Sequence, residues 1–194
     1  MKKLKAQQVI AGSKFLSAMD LLGIALILSV ASFMQFAYGE LPCPLCLLQR
    51  LGMTAIGFGF LLNVRYHVRT SHYALSLLAA IFTAFVSMRQ VLLHIVPGTG
   101  SYGSAILGLH MYTWVFVMSI SAIIYIAIVM SGPAQYVLSN THKDDRDKLR
   151  TPWAKHFAHF AFTVFFAMTV LNIVSIVHEC GFQECSDNPV GNVI

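Results

Sequence analysis

Five long apolar stretches, divided by short polar ones, account for most of the chain. They run from about Phe15 to Tyr38, Leu47 to Val64, Tyr73 to Val96, Ile106 to Met130 and His156 to Val177. Each is close to the roughly 20 residues that a helix needs to cross about 30 Å of hydrocarbon. The second is the shortest, and Gly52, Gly57 and Gly59 within it predict close approach of a neighbouring helix. The first outlasts the apolar region of a signal peptide, about 7–15 residues, and no small-x-small cleavage site follows it cleanly, so it reads as an anchor. The pattern predicts an all-α membrane protein: one integral-membrane domain over residues 1–194 with five transmembrane helices, the last leading into a tail at 178–194.

Composition agrees. Of the 194 residues, 57% are hydrophobic and 11% charged, against about a quarter charged in soluble domains, and mean hydropathy is +0.69. The formal charge of +5 would suit a nucleic-acid binder, but the positions of the basic residues argue otherwise. Lys2, Lys3, Lys5 and Lys14 flank the start of the first span; Arg65 and Arg69 lie between spans two and three. Lys143, Arg146, Lys148, Arg150 and Lys155 lie between spans four and five. With five crossings all eleven fall on one side, leaving only Arg50 and Arg89 near the other, which carries Glu40, Glu179, Glu184 and Asp187. Basic loops stay in the cytoplasm, so the N-terminus is expected inside and the C-terminus outside. The mixed run Lys143-Asp144-Asp145-Arg146-Asp147-Lys148 reads as a solvated loop, and no nucleic-acid partner is expected. Gly98 to Gly103, preceded by Pro97, reads as an irregular external loop.

The four cysteines fall into two close pairs, Cys43/Cys46 and Cys180/Cys185. Such pairs indicate a disulfide framework, a metal site or a redox device, and an oxidising compartment favours disulfides. The predicted topology brings both pairs to the same external face. Cys43-Pro44-Leu45-Cys46 is a CxxC, a spacing that closes a small disulfide ring and favours thiolate at its first sulfur. It is expected to open the second helix, whose positive dipole end also favours thiolate. Arg50, about one turn beyond Cys46, faces the same way and can stabilise a thiolate or polarise a ligand carbonyl. Cys180 and Cys185 sit in a tail whose Gly181 and Asp187-Asn188-Pro189 favour turns, and an exposed disulfide is open to a partner's thiolate. Two static bridges, or a four-cysteine zinc site, are the structural alternatives.

Other residues carry weaker signals. Arg89 is charged within an apolar run, a mark of function inside membranes, yet it lies close enough to the surface to snorkel. Gln90 suits a bond to a neighbouring helix. His94 and His110 lie near the outer ends of spans three and four, at a depth where the headgroup of a lipid-soluble ligand could bind, although interfacial histidines are common. Asp20 suits pairing within the bundle. Tyr38, Tyr102, Tyr112 and Trp114 fit an aromatic belt, and the nine methionines read as packing.

Taken with its setting, Cys43-Pro44-Leu45-Cys46 followed by Leu47-Leu48-Gln49-Arg50 resembles the disulfide bond formation protein B (DsbB) family. So do Arg89-Gln90 late in span three and Gly108-Leu109-His110-Met111-Tyr112-Thr113-Trp114 entering span four. The resemblance covers the layout of roughly residues 15–131. It implies a four-helix bundle, here with a fifth helix added, in a bacterial inner membrane. It also implies a thiol:quinone oxidoreductase that passes electrons to ubiquinone or menaquinone and reoxidises a periplasmic DsbA-like thioredoxin-fold partner. By position, Cys43 and Cys46 match the quinone-facing pair and Arg50 the quinone-side arginine. The family's second pair usually sits between spans three and four, where Gly98 to Ala105 has no cysteine. Sidedness alone therefore assigns Cys180 and Cys185 to the partner. The rivals are a conduit carrying electrons outward, which would want thiols within its spans or facing the cytoplasm, and a non-enzymatic scaffold or transporter subunit with structural disulfides.

Overall fold

In a computed structural model of the chain, described over residues 2–38, 43–96, 105–136 and 152–181, helix dominates. The elements run α1 (Lys2–Tyr38), α2 (Pro44–Arg65), α3 (Thr70–Leu93), a two-stranded hairpin of β1 (Ala105–Ile106) and β2 (Leu109–His110), α4 (Met111–Met130) and α5 (Pro152–Cys180). A 3-10 turn, Pro133–Gln135, follows α4. All five helices are long and apolar enough to cross a membrane. Cys185, Tyr102, the loop at 98–103 and the tail beyond residue 181 lie outside the described residues, as do the side chains of Cys180 and Tyr38.

Polar contacts fix the direction of each helix. Arg50 at the start of α2 bonds Ala31 and Gln35 near the end of α1, so these two run antiparallel. Gln49 meets Gln90 at one end of the α2–α3 seam and Asn63 meets His72 at the other, and α4 turns back beside α3, its Tyr112 against His94. Alongside α1 lies α5, parallel to it: Phe15 packs on Trp153 and Phe157, while Gln35 bonds Ser175 some twenty residues further along both helices. The end of α5 therefore lies at the same end of the bundle as the start of α2. Arg65 and Arg69 lie at the other end.

Small side chains set the spacing. A Cβ on Gly52 would run into Thr83, and one on Gly59 would meet Ser76 and the backbone oxygen of His72, all on α3. At Gly57 it would meet the ring of Phe165 on α5. The glycines of the short second span thus admit two neighbours, as close packing in lipid requires. Burial concentrates on α1, α2 and α3 around Leu21, Leu28, Ile56, Ala80 and Val68. Much of α4 and α5 is exposed apolar surface, as expected of helices facing acyl chains. Asp20 is held within the bundle, where the Tyr125 hydroxyl donates to its carboxylate at 2.9 Å.

Several boundaries differ from the hydropathy reading by three residues or more, those of α3 and α5 among them. Ile106 to His110 were expected inside the fourth span; instead they form the hairpin, because Leu107 and Gly108 both take positive φ, 52° and 81°, the backbone of a tight two-residue turn. Trp114 holds this hairpin against the first turn of α4, its indole N–H donating to the Ile106 carbonyl at 2.9 Å. Pro44 begins α2 three residues earlier than expected, as suits a proline whose missing N–H is not needed there. Finally, α1 extends back to Lys2.

Candidate functional site

Proline at the first helical position leaves Cys43 as the N-cap of α2, in extended conformation, with its sulfur accepting the backbone N–H of Cys46 at 3.2 Å. That geometry brings the two Cα atoms to 5.0 Å, and the sulfurs are joined as a disulfide. The bridge thus sits on the helix terminus where the free N–H groups and the dipole favour negative charge. Its Cys43 end is shielded, only 4% exposed, while Cys46 is half-buried.

The neighbouring helix completes its surroundings. From α3, the fully buried Gln90 directs its carboxamide nitrogen at both sulfurs, 3.2 Å from Cys43 Sγ and 3.4 Å from Cys46 Sγ. The oxygen of the same carboxamide accepts from Gln49 Nε2 at 2.6 Å. One turn further on, His94 caps α3 and its Nδ1 lies 2.8 Å from the Gln90 carbonyl. Because a carbonyl only accepts, that nitrogen carries the proton. Beyond it the ring of Tyr112 lies between two imidazoles, 5.5 Å from His94 and stacked at 5.4 Å on His110.

Arg50 behaves differently from the reading along its own helix, which placed it beside the Cys46 sulfur. Its described hydrogen bonds go sideways to α1, to the Gln35 side chain and to the Ala31 carbonyl at 3.0 Å. The end of α1 offers acceptors that a disulfide sulfur cannot match for a guanidinium. Gln35 passes the link on, donating to Ser175 of α5 at 2.8 Å, so one polar rung ties three helices one turn below the disulfide. We expect Gln35→Leu, which takes an acceptor from a half-buried guanidinium, to cost about 1–3 kcal/mol. Thermal unfolding in detergent checks this, and an unchanged midpoint would show the rung to be incidental.

The structure thus gathers Cys43, Cys46, His94 and His110 at one end, with Arg50 just below. It does not bring Arg89 to them: one residue from Gln90, and so turned by roughly 100°, that side chain is exposed on the outside of α3. Tyr112 is also moved, from the expected belt to a buried place between the histidines. The backbone of Cys180 closes α5 at this end of the bundle, five residues beyond Ser175, while its side chain and Cys185 lie outside the described residues. Gln35 and Ser175 were not singled out from the sequence, and Gln49 entered only within the Leu47-Leu48-Gln49-Arg50 motif. Otherwise their one signal is a polar side chain in an apolar run, which says nothing of its partner.

Comparison with known proteins follows the same part of the molecule. Residues 13–101 match the family model described as Disulfide bond formation protein DsbB. Three curated proteins named Disulfide bond formation protein B are similar. That of Chromobacterium violaceum is 41% identical over 71 residues, covering 34% of this chain and 43% of the relative. That of Stutzerimonas stutzeri is 33% identical over 94 residues, 45% and 56% of the two chains; that of Chromohalobacter salexigens is 32% identical over 84 residues, 41% and 49%. The chain spans about half the length of the curated relatives it matches. No solved structure matches significantly. The matched stretch contains the Cys43–Cys46 disulfide with Arg50, Gln90 and His94, and stops before the hairpin, α4 and α5.

Proposed function

We propose that this chain, whose residues 13–101 match the family model described as Disulfide bond formation protein DsbB, is a membrane thiol:quinone oxidoreductase generating disulfides outside the bacterial inner membrane. A reduced thioredoxin-fold partner of the DsbA type attacks the Cys180–Cys185 disulfide. The partner's two thiols become its disulfide, and their two electrons and two protons leave Cys180 and Cys185 as thiols. These thiols in turn open the Cys43–Cys46 disulfide and re-form their own. One observation carries the reading: a CxxC disulfide sits on a helix N-terminus at the bundle end where α5, five residues after its tie to Gln35, reaches Cys180.

The arithmetic of the helices supports the exchange. Cys180 lies about 7.5 Å along α5 from Ser175, and Cys46 about 6 Å along α2 from Arg50. The polar rung holds Ser175 and Arg50 at one level, so Cys180 and Cys46 rise to similar heights above it. The charge asymmetry of the loops supports an outside C-terminus.

A ubiquinone or menaquinone bound here would supply a lipid-soluble acceptor for two electrons and two protons. The residues present suit such a group. The disulfide lies among apolar helices, Tyr112 is stacked on the His110 imidazole and meets that of His94 at a tilt, and the Arg50 guanidinium stands one turn below. On this reading His94, His110 and Arg50 hold and orient the acceptor, with Cys46 beside them as the reacting sulfur. The helix terminus stabilises thiolate while the pair is reduced.

The purified chain in lipid nanodiscs, supplied with a reduced thioredoxin-fold protein and a short-chain quinone, is expected to convert one quinone to quinol for each partner disulfide formed. Absorbance of the quinone and alkylation of remaining thiols follow the two sides of that balance. Quinone consumption no faster than in empty nanodiscs would overturn the proposal in favour of static bridges.

A further inference from the structure

We propose that Gln90 is a positioning residue for the Cys43–Cys46 couple, its carboxamide holding both sulfurs from the facing helix and thereby making the pair more oxidising. The inference deepens the reading of that pair as redox-active.

Three observations carry it. The first is stoichiometry: one –NH2 group has two hydrogens, and two sulfurs stand at 3.2 and 3.4 Å from its nitrogen. The second is orientation. Disulfide sulfurs have no hydrogen to give, so only the nitrogen end of the carboxamide can bond them, and Gln49 supplies the donor that the oxygen end then requires. The third is rigidity. Gln90 has no exposed surface, its own carbonyl accepts the His94 ring N–H, and below it the α2–α3 spacing is set by Gly52 against Thr83. The amide is therefore held in place before any chemistry begins.

A donor held in this way acts unequally on the two redox states. A neutral disulfide sulfur is a weak acceptor, whereas a thiolate accepts a charge-assisted bond roughly twice as strong as a neutral one. Around the buried sulfur of Cys43 little of the difference is offset by solvent. Gln90 thus favours the reduced, thiolate-bearing form and raises the reduction potential of the pair. The described hydrogen bonds of Arg50, the nearest cation along α2, go to α1, and the described donors to the sulfurs are the Cys46 backbone N–H and this amide.

The test isolates the CxxC in the full-length chain with Cys180→Ala and Cys185→Ala, and titrates it against glutathione without quinone or partner. Gln90→Met keeps the length of the side chain and removes the donor. We expect its equilibrium to shift about tenfold toward the disulfide, about 30 mV in potential, and thiolate formation at Cys43 to move to higher pH. Gln90→Glu, which adds a negative charge, is expected to shift both further in the same direction. A purely structural role would lower stability without ordering the variants by donor and charge. Gln49→Met, which frees the Gln90 oxygen but keeps its nitrogen, is expected to give a smaller shift of the same sign, and it reads the effect if Gln90→Met folds poorly. Potentials of Gln90→Met, or of Gln49→Met in its place, equal to that of the parent would overturn the inference. A parent inert to quinone whose variants still shift would sink the proposed function and leave this inference standing.

Discussion

Cys46→Ser is expected to reduce quinone consumption to the rate of protein-free membranes, while the chain stays folded and inserted. The disulfide it removes closes a loop of only four residues, so its loss releases little chain entropy. Pro44 and the sulfur of Cys43 continue to start the helix. Chemistry, by contrast, has no substitute, since a serine hydroxyl neither forms a disulfide nor carries electrons from one. With a reduced partner present, the same variant is expected to oxidise at most one partner molecule per chain and stop with Cys180 and Cys185 reduced, because electrons cannot pass beyond that pair. Alkylation of thiols reads the stalled pair and absorbance reads the quinone. Full activity in this variant would refute the relay through the CxxC.

Gly59→Val is expected to be the most destabilising single change in the spans. A Cβ at this position meets Ser76 Oγ and, more seriously, the backbone oxygen of His72, which cannot turn aside as a side chain can. Ser76 is already engaged with the Ile56 carbonyl at 2.8 Å, so displacing it leaves a buried hydroxyl short of its acceptor. Overpacking typically costs about 1–3 kcal/mol, and the lost bond adds about 1 kcal/mol. We therefore expect a loss of about 3 kcal/mol. Phe85, 76% exposed on the lipid side of α3, is the control: Phe85→Ala creates no cavity and is expected to unfold close to the parent. Melting in detergent compares the two, and equal midpoints would show that the α2–α3 seam is not closely packed.

The two cases show which features are legible in a membrane sequence. Crossings are, because a run of about twenty apolar residues suits little but a membrane-spanning helix. So is the start of α2, where Pro44 between two cysteines marks both the helix terminus and the disulfide. The hairpin at Ile106–Leu109 is not, because a short apolar strand and the first turn of an apolar helix look alike until the backbone at Leu107 and Gly108 is seen. Arg50 illustrates a different limit. Spacing along α2 gives the direction in which its Cα–Cβ bond points, but its destination depends on what α1 offers, and Gln35 and Ala31 are 15 and 19 residues away in sequence. Gln90 could be read as a partner for another helix, yet nothing in the chain says that two sulfurs await it. Placement of Cys180 near the CxxC end was reached by counting crossings, and the parallel packing of α5 on α1 agrees with that count.

Lipid tails are as apolar as the side chains of α5, so burial alone gives this helix no preferred azimuth about its own axis. Ser175 supplies one: a single hydroxyl bonded to Gln35 indexes the rotation of α5 as a key indexes a shaft. The stretch from Ile176 to Cys180 transmits that setting to the first tail cysteine. One residue more or fewer in it would shift the backbone position of Cys180 by roughly 100° about the axis of α5 without changing the end of the bundle at which the helix closes.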